Sequence, residues 1–172
     1  MVSANDKKNF IRIIRFEEAE ALTDLKIRLS RETDFIPFLD TDRDTFISHT
    51  KDELSQLPSN NRAVWVVEDA GNLVGYLDID RYLMPKVNHA AFLELGIVES
   101  HRRLGFGTKL ILEAELWAKS LGIKRIWFYV VVNNLSAINL YLKLGYRFEG
   151  LRRDSYFLNE KFTDEYVMAK MI

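Results

Sequence analysis

The chain has 172 residues, 24 Lys plus Arg against 25 Asp plus Glu, and 48% apolar residues, which fits one globular domain and leaves no length for a second. A formal net charge of -1 gives no long-range attraction to nucleic acid or to an anionic membrane surface. There is no Cys, and His49, His89 and His101 are widely separated. Disulfides, thiolate metal sites and a Cys nucleophile are therefore excluded, and no metal centre is expected.

Residues 1–9 are polar, carry Asp6, Lys7 and Lys8, and lack the apolar core of a signal peptide. Residues 1–8 read as a flexible segment. The longest apolar stretches, such as Ile126 to Val132, fall far short of the roughly 20 residues of a spanning helix, so no membrane association is expected and the cytoplasm is the expected compartment. Asn9 to Phe16 alternates and is β-rich, which predicts a strand. Residues 17 to 31 place Ala21, Leu22, Leu25 and Leu29 on one helical face. After a loop through Pro37 to Asp42, a second helix is predicted from Asp44 to Leu57, closed by Pro58.

Arg62 to Glu68 and Leu73 to Arg81 are β-rich runs joined by Asp69-Ala70-Gly71-Asn72, the composition of a tight hairpin turn. Ala90 to Val98 extends this meander. A glycine-containing turn then leads into a helix beginning near Thr108, with Leu110, Ile111, Ala114, Trp117, Ala118 and Leu121 at helical spacing and Gly122 at its end. Ile126 to Val132 reads as a central strand, Leu135 to Leu144 as a short helix stopped by Gly145, and Tyr146 to Phe157 with Phe162 to Met171 as a closing hairpin. The order β-α-α-β-β-β-α-β-α-β-β implies an α/β domain with a mixed, mostly antiparallel sheet flanked by helices.

The turn Arg102-Arg103-Leu104-Gly105-Phe106-Gly107-Thr108 joins a strand to a helix. Two glycines there permit unusual backbone angles, and amide N–H groups at the positive end of a helix suit phosphate; a plain tight turn uses the same residues. His101, Arg102, Arg103 and Lys109 add charge around it. A P-loop is absent, and Leu110 stands where a dinucleotide fingerprint needs a small residue. Downstream, Asn134 is an N-cap candidate. Ala137, Leu140, Tyr141 and Leu144 share one apolar helical face, where a tyrosine serves either the core or a cavity ligand.

Taken together, Arg-x-x-Gly-x-Gly at Arg102, Gly105 and Gly107, a long helix, an apolar strand, and then Asn-x-x-Ala-Ile-x-Leu-Tyr-x-x-x-Gly-Tyr from Asn134 to Tyr146 resemble the GNAT superfamily of N-acetyltransferases. The resemblance implies a single N-acetyltransferase domain over residues 1–172, acetyl-CoA as co-substrate, no metal, and transfer of acetyl to an amine. It implies that Arg102, Arg103, Leu104, Gly105, Phe106, Gly107 and Thr108 hold the CoA pyrophosphate. It also implies that Ile97 and Val98 pair with pantetheine, where their strand splays from the next. Asn134 and Ala137 then lie near the cofactor, and Tyr141 faces the thioester sulfur as the acid for the leaving thiolate. A backbone N–H near Val98 is the expected donor to the thioester oxygen.

No carboxylate occupies Ala90, Ala91 or Phe92, which leaves Glu94 as the candidate base; a strand carboxylate facing water, with protons carried by a water chain, is its alternative. Residues 17 to 57 hold 11 Asp or Glu against 5 Lys or Arg, while residues 99 to 125 hold 6 Lys or Arg against 3 Glu. That polarity suits a cationic acceptor opposite an anionic cofactor, although solvated helix charges give the same count. The acceptor is expected to be a small amine, an amino acid or a protein N-terminus. A non-catalytic acyl-CoA sensor is the alternative on the same fold. Oligomeric state is not readable from the chain, and a homodimer is left open.

Overall fold

A computed structural model describes residues 10–36, 42–57, 59–158 and 160–172. The expected flexible segment at residues 1–8, most of the loop after Pro37 and the helix stop at Pro58 lie outside the described residues. Strands β1 (Phe10–Ile13), β2 (Arg62–Asp69), β3 (Asn72–Arg81), β4 (Ala90–Ile97), β5 (Arg125–Val131), β6 (Arg147–Leu158) and β7 (Lys161–Met171) form one seven-stranded sheet in the order β1-β2-β3-β4-β5-β7-β6. Helices α1 (Ala19–Glu32), α2 (Arg43–Leu54), α3 (Phe106–Ser120) and α4 (Leu135–Lys143) cover it. Among the described residues no helix is long and apolar enough to cross a membrane.

Local chemistry sets these boundaries. The β2-β3 connection is Ala70-Gly71, both at positive φ (50° and 84°), as a two-residue hairpin that follows strand twist demands. β1 ends at Ile13, three residues before the expected Phe16. There the Arg15 N–H donates to the Glu18 carboxylate at 2.9 Å, Arg12 grips both Glu18 and Glu68, and Phe16–Glu18 tighten into a 3-10 turn. In α1, Leu22, Leu25 and Leu29 are buried as expected, but Ala19 rather than Ala21 joins them. Asp42 caps α2 by accepting from the Thr45 N–H at 3.0 Å. That helix ends at Leu54, short of the expected Leu57.

All neighbouring strands are antiparallel except β4 and β5, which the α3 crossover makes parallel. Helix α1 lies on the face that carries Tyr76 and Gly96, where Leu29 sits against Gly96. It packs on α2, where the buried Thr23 hydroxyl donates to Thr50 at 3.0 Å. Helices α3 and α4 take the opposite face. Trp117 of α3 meets Trp65 edge-on at 6.2 Å, and Tyr141 of α4 lies 4.1 Å from the Phe128 ring.

One ion pair is built into this second layer. Lys170 of β7 donates to both oxygens of Glu115 of α3 at 2.8 Å, with the glutamate side chain 6% exposed and the lysine 24%. Removing the lysine strands a buried carboxylate, which costs far more than removing both partners. Lys170→Met should therefore lower unfolding free energy by about 3 kcal/mol, whereas Glu115→Leu combined with Lys170→Met should recover most of that loss. Urea denaturation of the three proteins checks the difference.

Candidate active site

Strands β4 and β5 pair only at Ala90 with Arg125, Ala91 with Ile126 and Phe92 with Trp127. Beyond that point β4 continues to Ile97 and β5 to Val131 without touching as a ladder, which opens the expected V-shaped gap. The bonds on the far side of β4 show which groups face the opening. Val98 N–H donates to the Val74 carbonyl at 3.0 Å and Tyr82 N–H to Ala90 at 3.2 Å, so even-numbered residues bond β3 and odd-numbered ones point to β5. The strand amides turned into the gap are thus those of Leu95 and Ile97. Val98, an expected cofactor contact, has no N–H to give, and its carbonyl accepts from His101 at 3.0 Å. The Ile97 carbonyl accepts from Arg102 Nε at 3.0 Å, which ties the following turn to the strand end.

That turn delivers α3 to the mouth of the gap. Gly105 caps the helix at φ 84°, a conformation L side chains resist, and α3 begins at Phe106, two residues earlier than expected. The N–H groups of Phe106, Gly107 and Thr108 lie in the first turn, before any intrahelical acceptor. A Cβ on Gly105 would have nothing within 4 Å. Gly107 differs: it is buried, and a Cβ there would lie 2.9 Å from Leu140 Cδ2 and 3.5 Å from Ile97 Cδ1. Its smallness lets α3, α4 and β4 converge. The Phe106 side chain is core and offers only its N–H outward. Arg103, at φ 62°, and Leu104 are exposed, Thr108 is half-buried, and His101 turns away to Asp69 at 3.0 Å.

At the far side of the gap, Asn134 Oδ1 accepts from the Ala137 N–H at 3.2 Å, which starts α4 as its cap. Tyr141, 7% exposed, stands among Phe128 and Tyr146, and its hydroxyl has no hydrogen-bond partner among the described residues. Burial first, and then the charge of Glu94, hold this phenol protonated well past its usual range. Glu94 is exposed on the opposite face of the sheet.

Sequence reasoning missed Tyr76. This fully buried ring on β3 lies across Gly96, where a Cβ would come within 2.8 Å of it, and its hydroxyl donates to Glu94 Oε1. Lys26 of α1 sits over the ring at 5.2 Å. Burial and the Glu94 charge together raise the Tyr76 pKa strongly, so it remains a donor. The sequence carried no signal for it, because only the β3-β4 register sets Tyr76 opposite Gly96.

Several acids of residues 17 to 57 are held in ion pairs within the fold. Glu18 pairs with Arg12 and Arg15, Asp24 with Arg43, Glu32 with Arg28 and Glu53 with Arg62. Among the described residues, no cluster of three or more His, Asp or Glu side chains is placed to hold a metal ion.

Comparison with known proteins agrees with this geometry. The sequence model of the Acetyltransferase (GNAT) family matches residues 27–146, more than half of the chain. An L-amino acid N-acetyltransferase of Escherichia coli (strain K12) is 28% identical over 122 residues, 70% of this chain and 74% of that protein. An N-alpha-acetyltransferase of Sulfurisphaera tokodaii is 28% identical over 174 residues, 91% of this chain and 98% of the relative. Among solved structures, an acetyltransferase of the GNAT family from Streptococcus pneumoniae superposes with a TM-score of 0.86 at 27% identity, covering 96% of this chain and all of that one.

The two glycines of the turn should separate experimentally. Gly105→Ala meets open space but a left-handed backbone, and should cost about 1 kcal/mol. Gly107→Val forces α4 from α3 and should cost about 1–3 kcal/mol through overpacking. The cost of Gly107→Val should shrink in a Leu140→Ala background and that of Gly105→Ala should not, as read from thermal melts of the six proteins of the two mutant cycles.

Proposed function

Because the chain belongs to the acetyltransferase (GNAT) family and is an acyltransferase by that membership, we propose that it transfers acetyl from acetyl-CoA to a primary amine by direct attack in a ternary complex. The observation that carries this reading is the splayed pair β4 and β5, with unpaired amides at Leu95 and Ile97 beside the N-terminus of α3. An extended, amide-bearing pantetheine arm fits such an edge as an added strand would. The N–H groups of Phe106, Gly107 and Thr108 fit its pyrophosphate, with Arg102, Arg103 and Leu104 flanking it. Asn134 and Ala137 border the arm from the start of α4.

The chain's own groups then divide the work. Ile97 N–H, rather than Val98, is the donor for the oxyanion that develops on the thioester carbonyl. Glu94 takes the proton of the attacking amine, directly or through one water, and Tyr76 holds its carboxylate in place. Tyr141 gives a proton to the departing sulfur. The acid and base are coupled: a protonated Glu94 no longer raises the Tyr141 pKa, so taking the amine proton makes the phenol a readier acid. The chain has no Cys to carry an acyl group between the two substrates. The relatives' names point to L-amino acids, an α-amine or spermidine as the amine.

Release of free thiol from acetyl-CoA across a panel of amino acids, spermidine and short peptides tests the activity; acetyl-CoA binding with no release for any amine would instead make the protein a sensor. Glu94→Gln should lower kcat by about 10² while acetyl-CoA affinity by calorimetry stays unchanged. Tyr141→Phe should lower kcat at least about tenfold; a shifted melting point with unchanged kcat would return it to the core. Since burial and Glu94 both favour the neutral phenol, kcat of the wild type should show no loss attributable to Tyr141 up to pH about 10.

A further inference from the structure

On the Glu94 face of the sheet, four aromatic rings form a continuous surface just outside the gap. Phe92 meets Trp127 at 5.1 Å and Tyr129 at 5.8 Å, Trp127 meets Tyr129 at 5.0 Å, and Tyr82 stacks on Trp127 at 6.3 Å. None of the four is buried, and Tyr129 is 37% exposed. Tyr82, Trp127 and Tyr129 stand apart from the core cluster. Helix α1 covers this face farther along, over Tyr76 and Gly96, so the rings are not its packing surface. Contiguous aromatic area of this kind beside a cleft marks a ligand wall.

Its position limits what the ligand is. Phe92 and Trp127 are the last paired residues before the strands part, and Glu94 follows Phe92 on the same face. A molecule whose amine reaches Glu94 therefore lays its next substituent on the rings. At the outer rim Arg152 lies over the Tyr129 ring, its Cζ 4.0 Å from the centroid, held by the nearly buried Glu165 through Nη1 at 2.9 Å. Glu165 is itself fixed by the Ser155 hydroxyl at 2.9 Å. A guanidinium positioned in this way keeps further N–H groups for a second carboxylate.

Resting on the transferase reading, we infer that the acceptor is a free α-amino acid with an aromatic or large apolar side chain. Its amine goes to Glu94, its side chain to Phe92, Trp127 and Tyr129, and its carboxylate to Arg152. An aromatic-initiated protein N-terminus lacks that carboxylate, and a polyamine lacks both the carboxylate and the apolar group.

The test is kcat/KM for L-phenylalanine, L-methionine, glycine, L-phenylalaninamide, a phenylalanine-initiated peptide and spermidine at saturating acetyl-CoA. L-Phenylalanine and L-methionine should exceed glycine and spermidine by about tenfold or more, and L-phenylalaninamide and the peptide should trail by a similar factor. Arg152→Gln should erase the difference between acid and amide. Tyr129→Ala, at an exposed position, should raise KM for phenylalanine about tenfold and leave KM for acetyl-CoA alone. Glycine or spermidine used as well as phenylalanine, or an Arg152→Gln enzyme that still prefers the acid, would overturn the inference while the transferase stands. Failure to acetylate any amine would remove the transferase reading and the acceptor with it.

Discussion

A backbone N–H kept from water without a partner costs on the order of 1–3 kcal/mol, and the centre of this sheet leaves two half-buried residues, Leu95 and Ile97, with amides unpaired by any strand. Strand β4 is fully bonded on its β3 side and abandoned on the other after Phe92. The adjoining elements are arranged around that edge. Arg102 satisfies the Ile97 carbonyl, Asn134 N–H satisfies Val131 at 2.9 Å, and α3 and α4 converge on Gly107 so that their ends frame the opening. What remains unsatisfied is a short row of donors at the depth where a ligand's amides would lie.

Two candidate side chains, Glu94 and Tyr141, lie on opposite faces of the sheet beside this opening. Here the carboxylate contributes to holding the phenol neutral, while a second buried phenol, Tyr76, donates to that carboxylate from behind. Glu94 thus has a fixed partner on its buried side and solvent on the other, an arrangement suited to a group that must both keep its position and exchange protons.

The order of elements was legible because each rests on local chemistry: β-rich runs in β2 and β3, an Ala-Gly turn, helical spacing in α3, and glycines at helix ends. The candidate site was legible through the Gly-x-Gly turn and the Asn-to-Tyr stretch of α4, which the fold brings to the two sides of one opening. Roles that depend on tertiary register were not. Gly105 and Gly107 look equivalent in sequence, yet one adopts a left-handed backbone in open space and the other is a contact point for Leu140. Val98 and Ile97 are neighbours, and only strand pairing shows that the former spends its N–H on Val74. Tyr76 lies 18 residues from Glu94 in sequence, a separation that only the β3-β4 register closes. Of the acidic excess of residues 17 to 57, Glu18 and Glu53 are met by cations from outside the segment, Arg12, Arg15 and Arg62, which composition could not show.

The three residue pairs joining β4 to β5 also have a mechanical meaning. They form a seam between a four-stranded slab and a three-stranded one, and across the sheet itself little else resists their separation. A ligand lying in the opening would act as a missing rung across that seam, so its binding energy would be felt as cohesion between the halves, about 2.7 kcal/mol at a hundredfold excess over its dissociation constant. The protein would then be stiffest when loaded, and the amides of Leu95 and Ile97 would report that stiffening through slower hydrogen exchange.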